Sequence, residues 1–151
     1  VVDPASDAAI AAMTAYFEEL DERFPTGFDP GDTLVDDAPT MRPPTGAFVI
    51  AIDPSAGGVT AACGGLLTIG VGIGEIKRMW VAPRARGRGL GRLLLADLEA
   101  RARVLGHHTV RLDTNGVLAE AIAMYGSAGY QPIVRYNDNP FAQCWFEKSL
   151  S

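Results

Sequence analysis

The residues best suited to chemistry lie in one short stretch, residues 84–92, with the sequence Arg-Ala-Arg-Gly-Arg-Gly-Leu-Gly-Arg. Its glycines alternate along the chain, so the backbone can turn tightly and no Cβ atom covers the amides. Amides at the start of a helix bind anions, because the helix dipole places partial positive charge there. The four arginines add guanidinium groups that can hold phosphate oxygens. The stretch therefore predicts a pyrophosphate-binding loop.

The segments on either side predict a strand before this loop and a helix after it. Residues 73–81 have the composition of a strand, and residues 90–105 carry leucines at helical spacing, with Gly106 placed to end the helix. The loop differs from the Walker type, since no Gly-Lys-Ser/Thr follows. It also lacks the Gly-x-Gly-x-x-Gly of the dinucleotide fingerprint.

Two motifs in this order resemble a known family. Val81-Ala82-Pro83 followed by Arg84-x-x-Gly87-x-Gly89 is similar to the acyl-CoA signature of the GNAT superfamily of N-acetyltransferases. Residues 121–130, Ala-Ile-Ala-Met-Tyr-Gly-Ser-Ala-Gly-Tyr, resemble the second signature of that superfamily. The matched part, residues 73–149, is about half of the chain. The resemblance implies one N-acetyltransferase domain over residues 1–151.

The order of predicted elements indicates a mixed α/β (α+β) fold with helices on both faces of one sheet. Helices are predicted over 6–23, 90–105 and 117–127, with a short one through Leu34. Strands are predicted over 47–52, 59–69, 73–81, 108–113, 130–134 and 144–148. The GNAT resemblance implies a mostly antiparallel sheet whose fourth and fifth strands splay apart, which admits the cofactor into a V-shaped gap.

The same resemblance assigns a cofactor, acetyl-CoA as co-substrate, and the residues that would hold it. The backbone of the strand before the loop would pair with the pantetheine arm at Met79 and Val81, and a nearby amide would polarise the thioester carbonyl. Backbone amides of the loop would hold the pyrophosphate; the residues concerned are Arg86, Gly87, Arg88, Gly89, Leu90, Gly91 and Arg92.

Two side chains are candidate catalysts for acetyl transfer to a primary amine. Tyr125 lies where the second signature often carries a tyrosine that protonates the departing thiolate, although a tyrosine can also simply pack a helix on a sheet. Glu75 begins the splayed strand, where many relatives have a general base that often acts through water; the alternative is a solvated residue or a partner for Lys77 or Arg78. Asp113, at the end of the neighbouring strand, is the fallback base, or else a helix-capping or loop residue.

The acceptor side of the site is less defined. Tyr136 and Asn137, in the loop between the last two strands, are candidates to orient the amine, and Arg42 or Arg135 could pair with a carboxylate; ordinary turn chemistry explains the same residues. Many family members have an Asn where this chain has Leu118, and the nearby Asn115 is out of register. A free amino acid, polyamine, antibiotic, peptide N-terminus and lysine side chain all stay open as acceptors.

The charge distribution favours a local polyanion site within an acidic protein. The net charge is −5, yet residues 77–111 hold nine basic side chains and two acidic ones. An extended nucleic-acid surface usually brings a high isoelectric point, so nucleic acid is not expected as a partner. No run of apolar residues is long enough for a membrane span and no basic-then-apolar leader is present. No membrane partner is therefore expected, while a homodimer is one option, since relatives are often dimers.

The two cysteines favour a reducing compartment and argue against a mechanism through an acyl-enzyme. Cys63 and Cys144 lie in apolar surroundings without metal-ligand spacing, which predicts buried free thiols in the cytoplasm and no metal site. Neither has the basic, partly exposed setting of an activated thiolate, so direct transfer is expected rather than an acyl-enzyme. A non-catalytic acyl-CoA-binding regulatory module of the same fold is the main alternative function, and nucleic-acid binding through the arginines is a weaker one.

Overall fold

The computed structural model describes residues 1–31 and 37–150. The short helix predicted through Leu34 lies outside these residues. Within the described residues, no helix combines the length and apolar character needed to cross a membrane.

Three α-helices are present in the described chain: α1 (Asp7–Arg23), α2 (Leu90–Val104) and α3 (Ala119–Ser127). The Ser6 hydroxyl caps α1 by accepting a hydrogen bond from the amide of Ala9 at 3.3 Å. Gly89, with φ of 76°, is the N-cap of α2, and Gly106, with φ of 87°, follows its C-terminus as predicted. The prediction of three main helices at these places is confirmed.

The described strands form one six-stranded sheet in the order β1-β2-β3-β4-β6-β5. Their bounds are β1 (Ala47–Asp53), β2 (Val59–Gly70), β3 (Ile73–Val81), β4 (Thr109–Thr114), β5 (Gln131–Ile133) and β6 (Cys144–Ser149). All neighbouring pairs are antiparallel except β3 and β4, which are parallel. The sheet is therefore mostly antiparallel, as expected from the family resemblance.

The alternation of residues along β2 explains why helices cover both faces. Gly64 faces α2 so closely that a Cβ atom there would lie 2.8 Å from Leu98 Cδ1. Its neighbour Cys63 points the other way and packs in a cluster with Met13 and Phe17 of α1. Since successive side chains of a strand point to opposite faces, α1 covers one face of the sheet and α2 covers the other.

The gap that positions the site opens between β3 and β4. These strands pair only from Ile73 to Glu75, and the rest of β3 has no partner on that side within the described chain. Counted along this chain, the splayed strands are the third and fourth rather than the fourth and fifth. The cause of the splay lies partly in β3, which has a bulge against β2 between the pairs Cys63–Trp80 and Gly65–Lys77.

Arg78 lies in this bulge and adopts a φ of 59°, in the left-handed region that side chains rarely occupy. Its guanidinium is buried, donates a 2.6 Å hydrogen bond to Asp37 and lies 5.5 Å from the ring centre of Phe17. The strained backbone is thus fixed by a charge pair and an aromatic contact from the helical face. The bulge turns the second half of β3 away from β4.

Candidate active site

A cavity of about 300 Å³ lies where the glycine-rich loop meets the open edge of β3. Eight of the nine residues predicted to hold the cofactor line it: Met79, Val81, Arg86, Gly87, Gly89, Leu90, Gly91 and Arg92. Arg88 is not among the described lining residues, and its guanidinium donates to the carbonyl of Arg84 at 3.0 Å. The cavity therefore joins the predicted pantetheine edge to the predicted pyrophosphate loop, and we call it the loop cavity.

The loop glycines have two different roles. Gly87 and Gly89 have φ of 78° and 76°, and a Cβ atom at either would meet no other atom within 4 Å. These two glycines are required by backbone conformation and leave open space over the loop, which fits an anion approaching the amides. Gly91 is required by packing instead, since a Cβ there would lie 2.9 Å from Met124 Sδ.

We expect Gly89→Val to weaken acetyl-CoA binding at least about tenfold, because a β-branched residue strongly disfavours the left-handed backbone that aims the loop amides. Gly57→Val is the matched control: Gly57 has φ of 77°, equally open surroundings and a place outside both cavities described here. Titration calorimetry with acetyl-CoA should show the loss in the first variant alone. Equal affinity in the two variants would contradict a role for the loop conformation in binding.

Ion pairs from α1 close one side of the loop cavity. Arg86 Nη2 lies 2.7 Å and 2.8 Å from the two carboxylate oxygens of Glu19, and its Nε donates to the carbonyl of Val81 at 2.9 Å. Arg23 lies 3.3 Å from Glu19 and 2.5 Å from Glu120 at the start of α3. A chain of alternating charges therefore connects the loop, α1 and α3 around the cofactor position.

The pKa values in this chain follow its geometry. Burial acts to raise the pKa of Glu19, but hydrogen bonds from Arg86 and Trp80 outweigh it, so that pKa lies below its ordinary value. The hydrogen bond from Arg23 lowers the pKa of Glu120 to about 2. Both carboxylates are thus ionised at neutral pH. Sequence reasoning missed Glu19 and Arg23, because nothing in α1 itself shows which helical charges meet the loop.

A second cavity of about 560 Å³ lies further along β3, beside residues 76–79, whereas the loop cavity lies beside residues 79–81. The walls come from α1, the end of β4 and the loop between β5 and β6. It shares five lining residues with the loop cavity: Tyr16, Met79, Leu118, Ala121 and Tyr125. A ligand in the loop cavity and one in this second cavity, which we call the β4-end cavity, would therefore meet beside Met79 and Tyr125.

Tyr125 lies at this junction. The side chain is buried, and its ring contacts Tyr130 edge-to-face with 5.8 Å between ring centres. No described residue forms a hydrogen bond with its hydroxyl. Burial raises the pKa of Tyr125 above its ordinary value, so the phenol stays protonated at neutral pH and is available to donate.

Tyr16 is a second phenol at the junction that sequence reasoning did not single out. It lines both cavities, interacts electrostatically with Tyr125, and has its own pKa raised by burial. In the sequence it is one more apolar-face residue of α1, at helical spacing from Met13 and Leu20. Only the packing of α1 against the sheet shows that Tyr16 lines both cavities.

The two candidate carboxylates occupy different positions. Asp113, at the splayed end of β4, lines the β4-end cavity, whereas Glu75 lies at the closed end of the gap and is not among the described lining residues. Glu75 accepts a 2.6 Å hydrogen bond from the Tyr136 hydroxyl and lies 3.5 Å from Lys77 Nζ. Asn137 connects the two, since its Nδ2 lies 2.5 Å from Asp113 and 3.5 Å from Glu75.

The remaining acceptor-side candidates divide by location. Asn137 lines the β4-end cavity, while Tyr136 reaches it only through Glu75. Arg42 pairs with Asp3 at 3.0 Å, and Arg135 lies over the ring of Trp145; neither lines the described walls of either cavity. Of these candidates, Asn137 therefore lies on a described wall of the β4-end cavity, and the two arginines do not.

The positions around the missing family asparagine are also resolved. Leu118 lines both cavities with an apolar side chain. Asn115 lines only the β4-end cavity, donates to the carbonyl of Phe141 at 2.7 Å and accepts from the amide of Val117 at 3.0 Å. Asn115 therefore holds the loop before α3 in place and lies outside the described walls of the loop cavity.

Both cysteines are free, and neither lines a described cavity wall. Cys63 is fully buried, and burial raises the pKa of its thiol to about 12. Cys144 is half-buried rather than buried as predicted. The Cys63 thiol therefore stays protonated at neutral pH, which makes it a poor nucleophile.

Comparison with known proteins shows which family this chain belongs to. The model of the Acetyltransferase (GNAT) family matches residues 13–130, most of the chain. The chain belongs to the GNAT acetyltransferase family. This GNAT protein is 32% identical over 143 residues to an "IAA acetyltransferase" of Azospirillum brasilense, with 92% of this chain and 91% of that protein aligned.

Solved structures agree with this GNAT assignment. A Klebsiella pneumoniae protein assigned as an acyl-CoA N-acyltransferase has 29% identity, a TM-score of 0.77, and alignment over 99% of this chain and 94% of its own. A GNAT-family acetyltransferase of Staphylococcus aureus has a TM-score of 0.84 at 15% identity, over 97% and 96% of the two chains, and so shares the fold. The protein is an acyl-CoA-dependent acetyltransferase, and its co-substrate is an acyl-CoA.

Proposed function

We propose that this GNAT enzyme transfers the acetyl group of acetyl-CoA directly to a primary amine. The observation that carries the proposal is the junction of the two cavities in the gap between β3 and β4, beside Met79 and Tyr125. A thioester approaching from the loop cavity and an amine approaching from the β4-end cavity would reach one point there. Bringing the reactants together supplies much of the rate enhancement.

In the proposed reaction the amine nitrogen attacks the thioester carbonyl carbon, and the C–S bond then breaks. A bound ammonium must lose one proton before its nitrogen can attack, and Asp113 is the candidate base with a place on the cavity wall. The nitrogen loses a second proton once the new bond has made it far more acidic. Tyr125 would give its phenolic proton to the departing thiolate. Backbone amides along the unpaired edge of β3, near Met79, would stabilise the carbonyl oxygen.

Glu75 would affect the reaction indirectly, by positioning residues of the loop between β5 and β6. Glu75 accepts a hydrogen bond from Tyr136 and lies 3.5 Å from Asn137, which itself donates to Asp113, and the charge of Glu75 is compensated by Lys77. In this proposal Glu75 positions the acceptor loop, and Asp113 faces the amine.

The proposal is tested by mixing purified protein with acetyl-CoA and primary amines while free thiol is measured. We expect acetyl-CoA to bind and thiol to appear only when an amine is present. Binding without thiol release for any amine would favour the alternative, a regulatory module that binds acyl-CoA without turnover. Absence of acetyl-CoA binding would contradict the proposal altogether.

A further inference from the structure

One wall of the β4-end cavity is aromatic. Four phenylalanine side chains from three separate segments line it: Phe17, Phe24, Phe28 and Phe141. Their rings contact each other, with centre-to-centre distances of 5.4 Å for Phe17 and Phe28 and 4.5 Å for Phe28 and Phe141. The wall is therefore continuous, from α1 across to the loop between β5 and β6.

Packing of α1 on the sheet explains only half of this wall. Phe17 and Phe24 are buried and belong to the core cluster of α1, as expected for the apolar face of a helix. Phe28 and Phe141 lie in loops, are half-buried, and keep part of their surface toward the cavity. Half-buried rings around a cavity of about 560 Å³ are typical of a pocket that takes an apolar ligand.

The charges on the described walls select for a cation. Both basic side chains there have acidic partners: Arg78 lies 2.6 Å from Asp37, and Lys77 lies 3.5 Å from Glu75. Asp113 has no cationic partner in the described chain, and both its oxygens accept from amide nitrogens, Asn137 at 2.5 Å and Asn139 at 3.0 Å. Residues 32–36, outside the described chain, contain no basic side chain either. The cavity thus has a carboxylate free to pair with an ammonium and no unpaired cation for a carboxylate.

We propose that the acceptor of this acetyltransferase is an arylalkylamine. Such a molecule has a primary ammonium group joined through a short alkyl chain to a flat apolar ring, and it has no carboxylate. The ring would lie against Phe28 and Phe141, and the ammonium would face Asp113 and the junction at Tyr125. This inference rests on the proposed amine acetylation. It excludes free amino acids and polyamines from the acceptors left open by the sequence.

The test compares four acceptors at saturating acetyl-CoA: 2-phenylethylamine, ethylamine, phenylalanine and putrescine. Burial of the phenyl ring should raise kcat/KM for 2-phenylethylamine about 30-fold over ethylamine. Phenylalanine, which adds only a carboxylate, should be at least about tenfold poorer than 2-phenylethylamine, since that charge would have no partner. Putrescine, which replaces the ring by a second charge, should fall in the same low range.

Two substitutions test whether the aromatic wall causes the preference for 2-phenylethylamine over ethylamine. Phe28→Ala and, separately, Phe141→Ala should each reduce the ratio of 2-phenylethylamine to ethylamine about fivefold, because each removes ring contact from the ligand. Leu93→Ala is the control, since this exposed apolar residue lines neither cavity. Because the ratio is measured within one preparation, a partly unfolded variant does not imitate a change in preference.

The outcomes separate the two proposals. Thiol release with equal kcat/KM for ethylamine and 2-phenylethylamine, or a preference for phenylalanine or putrescine, would overturn the acceptor class and leave amine acetylation standing. An unchanged ratio in both phenylalanine variants would also overturn it. Release with none of the amines would overturn the proposed function, and this inference with it.

Discussion

Tyr125→Phe is expected to lower kcat about 100-fold without changing the dissociation constant of acetyl-CoA. The substitution removes one oxygen at the junction of the two cavities and keeps the ring that packs on Tyr130. General acid catalysis typically contributes 100-fold or more, and a departing thiolate without a proton donor would lose that contribution. Steady-state thiol release and calorimetric titration measure the two quantities separately.

Tyr16→Phe is the matched control for this experiment. Tyr16 also lines both cavities and also has a pKa raised by burial, so the two variants remove chemically similar hydroxyls from one site. We expect kcat to change less than about threefold for Tyr16→Phe, since Tyr125 is the acid in the proposed reaction. A large loss for Tyr16→Phe and a small one for Tyr125→Phe would instead identify Tyr16 as the acid.

The direction of the Tyr125 pKa shift sets the expected pH behaviour. A phenol whose pKa lies above its ordinary value of about 10 stays protonated throughout the neutral range. The kcat of the native enzyme should therefore show no decline caused by Tyr125 ionisation between about pH 7 and about pH 10.

Sequence reasoning was strongest where the site depends on consecutive residues. The loop of residues 84–92 has its strand, its left-handed glycines and its helix within one segment, so spacing alone indicates the conformation. Eight of the nine predicted cofactor residues consequently lie around one cavity. Arg88 is not among the lining residues, but the prediction concerned its backbone amide, so the contact of its side chain with the carbonyl of Arg84 does not bear on that prediction.

Contacts between distant segments could not be predicted in the same way. Glu19 meets Arg86 across 67 residues of sequence, and that contact exists only because α1 packs against β2 and β3. The start of α3 was also predicted imprecisely, because it depends on a side-chain hydrogen bond in the preceding loop. A helix was predicted from residue 117, but the Asn115 side chain accepts from the Val117 amide and holds that residue in a turn, so the helix begins at Ala119.

The choice between Asp113 and Glu75 depended on one feature invisible in the sequence, the residue at which β3 and β4 stop pairing. Both carboxylates lie on neighbouring strands at plausible positions. Pairing ends at Glu75, so this residue stays in the closed part of the sheet, while Asp113 lies beyond the opening. Glu75 pairs with Arg111, and Asp113 is only two residues further along β4. That short distance places Asp113 on the cavity wall and leaves Glu75 in the paired part of the sheet.

Asp113→Asn is therefore expected to lower kcat/KM for the amine about 100-fold, with acetyl-CoA affinity unchanged. The substitution keeps the shape of the side chain but removes the charge that would pair with the ammonium and take its proton. Glu75→Gln is the matched comparison, a carboxylate-to-amide change on the adjacent strand. It should cost less than about tenfold, because Glu75 reaches the site only through Tyr136 and Asn137.

The pH dependence of the two variants distinguishes a chemical role from a structural one. A primary amine with a pKa near 10 becomes increasingly deprotonated in solution as the pH rises from about 7 to about 9. The Asp113→Asn enzyme then no longer needs a base to produce the free amine, so its deficit relative to the native enzyme should shrink over that interval. A deficit independent of pH would mean that Asp113 only shapes the cavity. A larger, pH-dependent loss in Glu75→Gln would transfer the role of base to Glu75, through a water in the gap that Asn137 spans between the two carboxylates.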